Sequence, residues 1–188
     1  MNYPWLTDQW QQLLKQRDRN AVHHALLLSG AEGLGKKDCA CAFAQLLLCQ
    51  HSNEQRQACG QCQSCRWFND GVHPDVFNIT LEEKASTIKV DQIRQLTEKL
   101  SQTAHCGDYQ IVIIHPADAL SLAAANALLK TLEEPTGKVL YLLVTHHKDR
   151  LPITIQSRCQ LLSFHAGEPG ASMSWLRQQI DVSEQAAA

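Results

Sequence analysis

Apolar residues along the chain gather in short unbroken blocks, separated by stretches in which they recur at helical spacing, and this alternation predicts strands and helices taking turns. His24–Ser29 (HALLLS) is the first block and runs into glycine, and the alanine- and leucine-rich stretch 38–49 that follows has helical composition. Asp75–Thr80 (DVFNIT), entered through the turn former His73-Pro74, predicts a second strand. Asp91 is placed to cap a helix in which Ile93, Leu96 and Leu100 form an i, i+3, i+7 stripe. Ile111–Ile114 (IVII) and Val139–Val144 (VLYLLV) are apolar without alternation, as a parallel strand covered on both faces requires. Between them Ser121 caps a helix with Leu122, Ala125, Leu128, Leu129 and Leu132 on one side, stopped by Pro135. Cys159–Phe164 (CQLLSF) predicts the last strand.

Strands alternating with helices imply right-handed crossovers, so the expected class is α/β, a parallel sheet with helices on both faces. Gly167–Gly170 (GEPG) breaks the pattern, and Met173–Ile180 resumes as a helical fragment too short for its own core. The expected division is therefore one domain over 1–166 and the beginning of a second over 167–188. At 188 residues, 44% hydrophobic and 19% charged, the chain is long enough for one core and a small appendage. Its net charge of −2 provides no overall basic field, so tight direct binding to nucleic acid is not expected. No apolar run exceeds six residues, and the N-terminus lacks a basic start followed by an apolar stretch, so the expectation is a cytoplasmic protein without a membrane partner.

Gly30-Ala31-Glu32-Gly33-Leu34-Gly35-Lys36-Lys37 follows the first strand and opens a helix, the context that a phosphate-binding loop requires. Backbone N–H groups around Gly30 and Gly35 would surround phosphates, and Lys36 would reach the terminal ones. The match fails at the next position, where a Ser or Thr hydroxyl should ligate magnesium: an ammonium at Lys37 cannot coordinate a metal. Acidic residues expected at the end of a later buried strand are also missing, since IVII runs into His115-Pro116. Magnesium-dependent hydrolysis in cis is not expected, and nucleotide binding through Lys36 is doubtful; a glycine-rich turn that binds nothing is the plain alternative.

Of the eight cysteines, Cys49, Cys59, Cys62 and Cys65 cluster, while Cys39, Cys41, Cys106 and Cys159 sit in apolar surroundings where a buried thiol is the default. The spacing C-x9-C-x2-C-x2-C suits a closed tetrahedral zinc site that orders a polar loop at about 49–66 and leaves no open catalytic position. An iron–sulfur cluster is the rival, and an unmetallated cluster the third possibility. Arg56 and Arg66 could offset thiolate charge or simply be solvated. Glu133 and Glu134 end a helix, where the dipole disfavours negative charge, so they are either a solvated end or an intersubunit contact. His146 and His147 follow a strand and receive no role, and the remaining histidines show no metal-ligand spacing.

The degenerate phosphate loop, the four-cysteine insertion, the helix Asn126–Pro135 (NALLKTLEEP) and Ser157-Arg158-Cys159 together resemble the bacterial clamp-loader subunits of DNA polymerase III, in the AAA+ class, and among them the delta-prime type. The resemblance covers residues 3 to about 180. It implies an AAA+ sheet with the start of a helical lid, in a non-hydrolysing component of the pentameric machine that loads the sliding clamp onto primed DNA. The implied partners are the gamma/tau ATPase subunits and delta, with the clamp and DNA reached through the assembly. It implies further that Arg158 is an arginine finger supplied in trans, and that the family protein is longer, so that this stretch alone builds no stable loader. An ordinary surface arginine, an independent P-loop ATPase and a zinc or iron–sulfur nucleic-acid module are the competing readings.

Overall fold

The computed structural model describes residues 3–51, 56–101, 103–135 and 137–167, with single helical positions at 170, 172, 173, 175 and 177. The fragment expected over Met173–Ile180 thus falls largely outside the described residues.

The elements in chain order are α1 (Thr7–Asp18), β1 (Ala25–Ser29), α2 (Lys36–Leu48), α3 (Gln63–Asn69), β2 (Val76–Ile79), α4 (Val90–Leu100), β3 (Gln110–Ile114), α5 (Leu122–Glu133), β4 (Val139–Thr145), α6 (Ile153–Gln156) and β5 (Gln160–Ser163). The strands form one sheet in the order β2-β3-β4-β1-β5, and every pairing is parallel. β1 thus lies inside the sheet between β4 and β5, and the loop that follows it leaves the same end of the sheet as the segments after β3 and β4.

Side chains of a strand alternate between faces, and the core divides accordingly. One layer joins Leu27, Val112, Ile114, Tyr141 and Leu143 to Ile93 and Leu96 of α4 and to Leu128 and Leu132 of α5. The other joins Leu26, Leu28, Ile111, Ile113, Leu140 and Leu142 to Leu13 of α1 and to Phe43 and Ala40 of α2. Covering on both faces is why β3 and β4 read as uninterrupted apolar blocks.

Several expectations shift. α4 begins at Val90, because Gln92 Oε1 accepts the Lys89 N–H at 3.0 Å and takes over the capping role assigned to Asp91; Asp91 sits in the first turn, paired with Arg94 at 3.1 Å. Ser121 does cap α5, accepting the Ala124 N–H at 3.2 Å, but Leu122 is 71% exposed and Ala124 takes its place among the buried residues. α1 and α3 were not anticipated. In α1 only Leu13 and Leu14 are buried, so its polar sequence carries little periodic signal; α3 is a seven-residue helix inside the cysteine cluster.

Candidate functional site

The phosphate loop bridges β1 and α2. Gly35 is the N-cap of α2 with φ +78°, and a Cβ there would lie 2.8 Å from the ring of Tyr3; a Cβ on Gly30 would lie 2.4 Å from the carbonyl oxygen of Phe164. Both glycines are therefore required by close approach, the first also by its left-handed backbone. The loop shape predicted from sequence is present.

Its lysine is turned inward. Lys36 is 3% exposed, and its Nζ donates to the carbonyl oxygens of Gly30, at 2.8 Å, and Ala31, and to His146 Nδ1 at 3.1 Å. An ammonium has three N–H groups, and these three acceptors take them all. Burial holds the Lys36 pKa below its ordinary value. His146, given no role from sequence, is thus a member of the site, and because its Nδ1 accepts, its proton sits on Nε2.

The ends of β3 and β4 complete the surroundings. His115 and His146 meet edge to face, with ring centroids 5.4 Å apart. His115 Nδ1 is buried without a hydrogen-bond partner, so this histidine is not a satisfied core residue. Burial, then the nearby Lys37 charge, lowers its pKa, which favours the neutral ring. Asp118, the first carboxylate after β3, accepts Thr145 Oγ1 at 2.8 Å and the His146 N–H at 3.1 Å. Burial opposes its ionisation, but these bonds prevail and hold its pKa below the usual carboxylate range. The acid is thereby tied to the backbone after β4, while Lys37 is exposed where a metal-binding hydroxyl would stand.

Aromatic residues cover the loop. Tyr3 Oη donates to Asp38 Oδ2 at 2.7 Å and Trp5 Nε1 to the Leu34 carbonyl at 3.1 Å, and the rings of Tyr3, Trp5 and Trp175 lie 5.2–5.4 Å apart by centroid. The remaining cavity measures about 220 Å³, below the roughly 300–1,000 Å³ usual for ligand sites. A larger cleft of about 710 Å³, lined by Gln16, Arg19, His23 and Gln160, opens at the opposite end of the sheet, away from the loop.

The four clustered cysteines converge. Their sulfurs all lie within 4.8 Å of one another, with Cys49–Cys62 at 4.0 Å and Cys59–Cys65 at 3.9 Å. Four sulfurs bound tetrahedrally at about 2.3 Å stand about 3.8 Å apart, so the set fits a zinc-sized ion. Backbone N–H groups of Gln61 and Cys62 point at Cys59 Sγ, at 3.5 and 3.3 Å, and bring its pKa down to about 6, whereas burial pushes the Cys49 and Cys65 thiols up. Cys39 and Cys159, by contrast, are pushed up to about 12 by burial and are inert.

A buried relay ties this module to the sheet. Ser64 Oγ donates to the Leu48 carbonyl at 2.8 Å and accepts from His73 Nε2 at 2.9 Å, while His73 Nδ1 accepts the Asp75 N–H at 3.1 Å. Asp75, 0% exposed, accepts the backbone N–H groups of His105 and Cys106, both at 2.7 Å. Arg56 is not merely solvated, for it pairs with Asp18 of α1 at 2.9 Å.

Arg158 lies just after α6, where Nη1 donates to the Thr154 carbonyl at 2.9 Å and Nη2 to Glu133 Oε1. It precedes β5, whereas the phosphate loop follows the parallel β1. A four-residue strand spans about 13 Å, so the guanidinium and the loop of the same chain stand at opposite ends of the sheet.

Comparison with known proteins agrees with this architecture. The chain is 42% identical over 179 residues to DNA polymerase III subunit delta' of Pseudomonas aeruginosa, covering 95% of this chain and 53% of that protein. It is 35% identical over 184 residues to the Escherichia coli K12 subunit delta', covering 98% and 55%. It therefore spans about half the length of the curated relatives it matches. A crystal structure of a gamma subunit-related DNA polymerase III protein from Thermotoga maritima superposes with a TM-score of 0.60 at 20% identity, over 86% of this chain and 47% of that one, a likeness of fold alone. The family model described as DNA polymerase III, delta subunit, matches residues 5–168, and the chain belongs to that family, with subunit delta' proteins among its relatives.

Proposed function

We propose that this chain is the AAA+ portion of a non-hydrolysing clamp-loader subunit of DNA polymerase III, delta-prime in type. It works in the cytoplasm beside gamma/tau and delta subunits, in an assembly that places the sliding clamp on primed DNA. The main domain ends near residue 166, where a lid begins. Cys49, Cys59, Cys62 and Cys65 hold a structural zinc that fixes the loop between α2 and β2 and does no catalysis.

The observation that carries the reading is the closed phosphate loop. Every N–H of the Lys36 ammonium is taken by Gly30, Ala31 and His146, and neither Lys37 nor the His115-Pro116 pair offers a magnesium ligand. The chain contributes chemistry outward instead, through Arg158, whose position beyond reach of its own loop suits a finger for a neighbour's ATP. Fingers supplied in trans raise phosphoryl-transfer rates by about 10³–10⁵ in other systems. The test is ATP turnover by the full-length protein, alone and reconstituted with its partner subunits: none is expected alone, and Arg158→Ala should slow the DNA-stimulated turnover of the assembly. Unchanged turnover would overturn the trans role.

A further inference from the structure

Glu133 closes α5, where the helix dipole disfavours a negative charge, and the structure supplies the reason for its presence. Its Oε1 accepts from Arg158 Nη2, so the charge is balanced within the chain as well as by solvent. The NALLKTLEEP and SRC segments, 25 residues apart at this contact, thus meet at one ion pair.

We infer that Glu133 is the positioning residue for Arg158, holding the guanidinium so that its unused N–H edge faces a neighbouring subunit's phosphates; this rests on the trans role proposed above. Arg158 has two fixed points on different nitrogens, Thr154 O on Nη1 and Glu133 Oε1 on Nη2. A guanidinium carries five N–H donors in a rigid plane, so these two bonds fix its orientation and leave three donors for an anion. The Arg158 and Glu133 side chains are 34% and 49% exposed, which leaves the pair accessible and makes it a weak contributor to folding. Its effect is on orientation. Without Glu133 the head group keeps one anchor and rotates about it, and a finger that must be placed in advance loses rate rather than substrate affinity.

The experiment measures kcat and KM for ATP in the assembly reconstituted with full-length protein carrying Glu133→Ala, Glu133→Gln, Arg158→Ala, or Glu133→Ala with Arg158→Ala. Glu133→Ala should lower kcat about fivefold, the factor set by about 1 kcal/mol, with KM unchanged. Glu133→Gln, whose amide oxygen still accepts, should recover most of that loss, and the double variant should match Arg158→Ala alone. If Arg158→Ala slows turnover but Glu133→Ala leaves it unchanged or raises it, the positioning role fails while the finger stands. Additive losses in the double variant would also overturn it. If Arg158→Ala itself has no effect, the finger reading fails first, and the two failures are told apart.

Discussion

Lys36 Nζ and His146 Nδ1 stand 3.1 Å apart across the mouth of the phosphate loop, so the lysine that should greet a phosphate is already engaged by the strand end opposite it. Freeing one donor should reopen the loop in part. His146→Ala is expected to tighten ADP binding about tenfold, equivalent to about 1.4 kcal/mol, and Lys36→Ala to abolish that gain. Calorimetric titration checks both. Magnesium-dependent hydrolysis by the isolated protein, lost in Lys36→Ala, would contradict the non-hydrolysing role.

Metal removal should act locally. One zinc per chain is expected by elemental analysis, with no visible absorbance band, and chelation should expose the segment around residues 49–66 to protease while the sheet keeps its far-ultraviolet signal. The melting temperature should fall by about 2–4 °C for each kcal/mol of stability lost with the metal. A visible band that bleaches on reduction would replace zinc with an iron–sulfur cluster.

His24 gives the fold an acid-sensitive contact. Burial, reinforced by the stacked His23 ring at 4.5 Å, lowers its pKa, while its Nε2 donates to the Leu132 carbonyl at 3.0 Å. The unfolded chain takes up the proton first as pH falls through about 6.5, so it binds more protons than the folded one and stability is lost from there downward, toward the lower folded value. The urea midpoint should decline between pH 7.5 and 5.5, and His24→Gln should flatten the decline without removing it, because His73 and His115 shift in the same direction. A variant with the parental slope would show that His24 contributes nothing.

Gly35→Ala places a methyl 2.8 Å from the Tyr3 ring at φ +78° and should destabilise by about 1–3 kcal/mol. Tyr3→Ala should remove the collision but not the backbone strain. The double variant is therefore expected to lose less than the sum of the single losses, a non-additivity that denaturant titration resolves.

The middle of the sheet was legible because β1, β3 and β4 are buried on both faces and so appear as continuous apolar blocks such as Val139–Val144. The cysteine cluster was legible because short spacings force convergence. The state of the phosphate loop was not. Lys36 finds His146 across 110 residues, and Trp5 finds Leu34 across 29, by tertiary packing that leaves no periodic mark. Glu133 was conspicuous as a misplaced charge, yet its neutralising partner Arg158 emerges only when α6 returns the chain to the end of α5.

The parallel arrangement of β1 and β5 gives the molecule a polarity. On the proposed reading, one pole gives and the opposite pole would receive, so identical units could be threaded in sequence, each completing the next. Here the receiving pole is shut by its own lysine. On that proposed reading such a unit would belong at the beginning of the thread, able to start the series but not to stand in its middle.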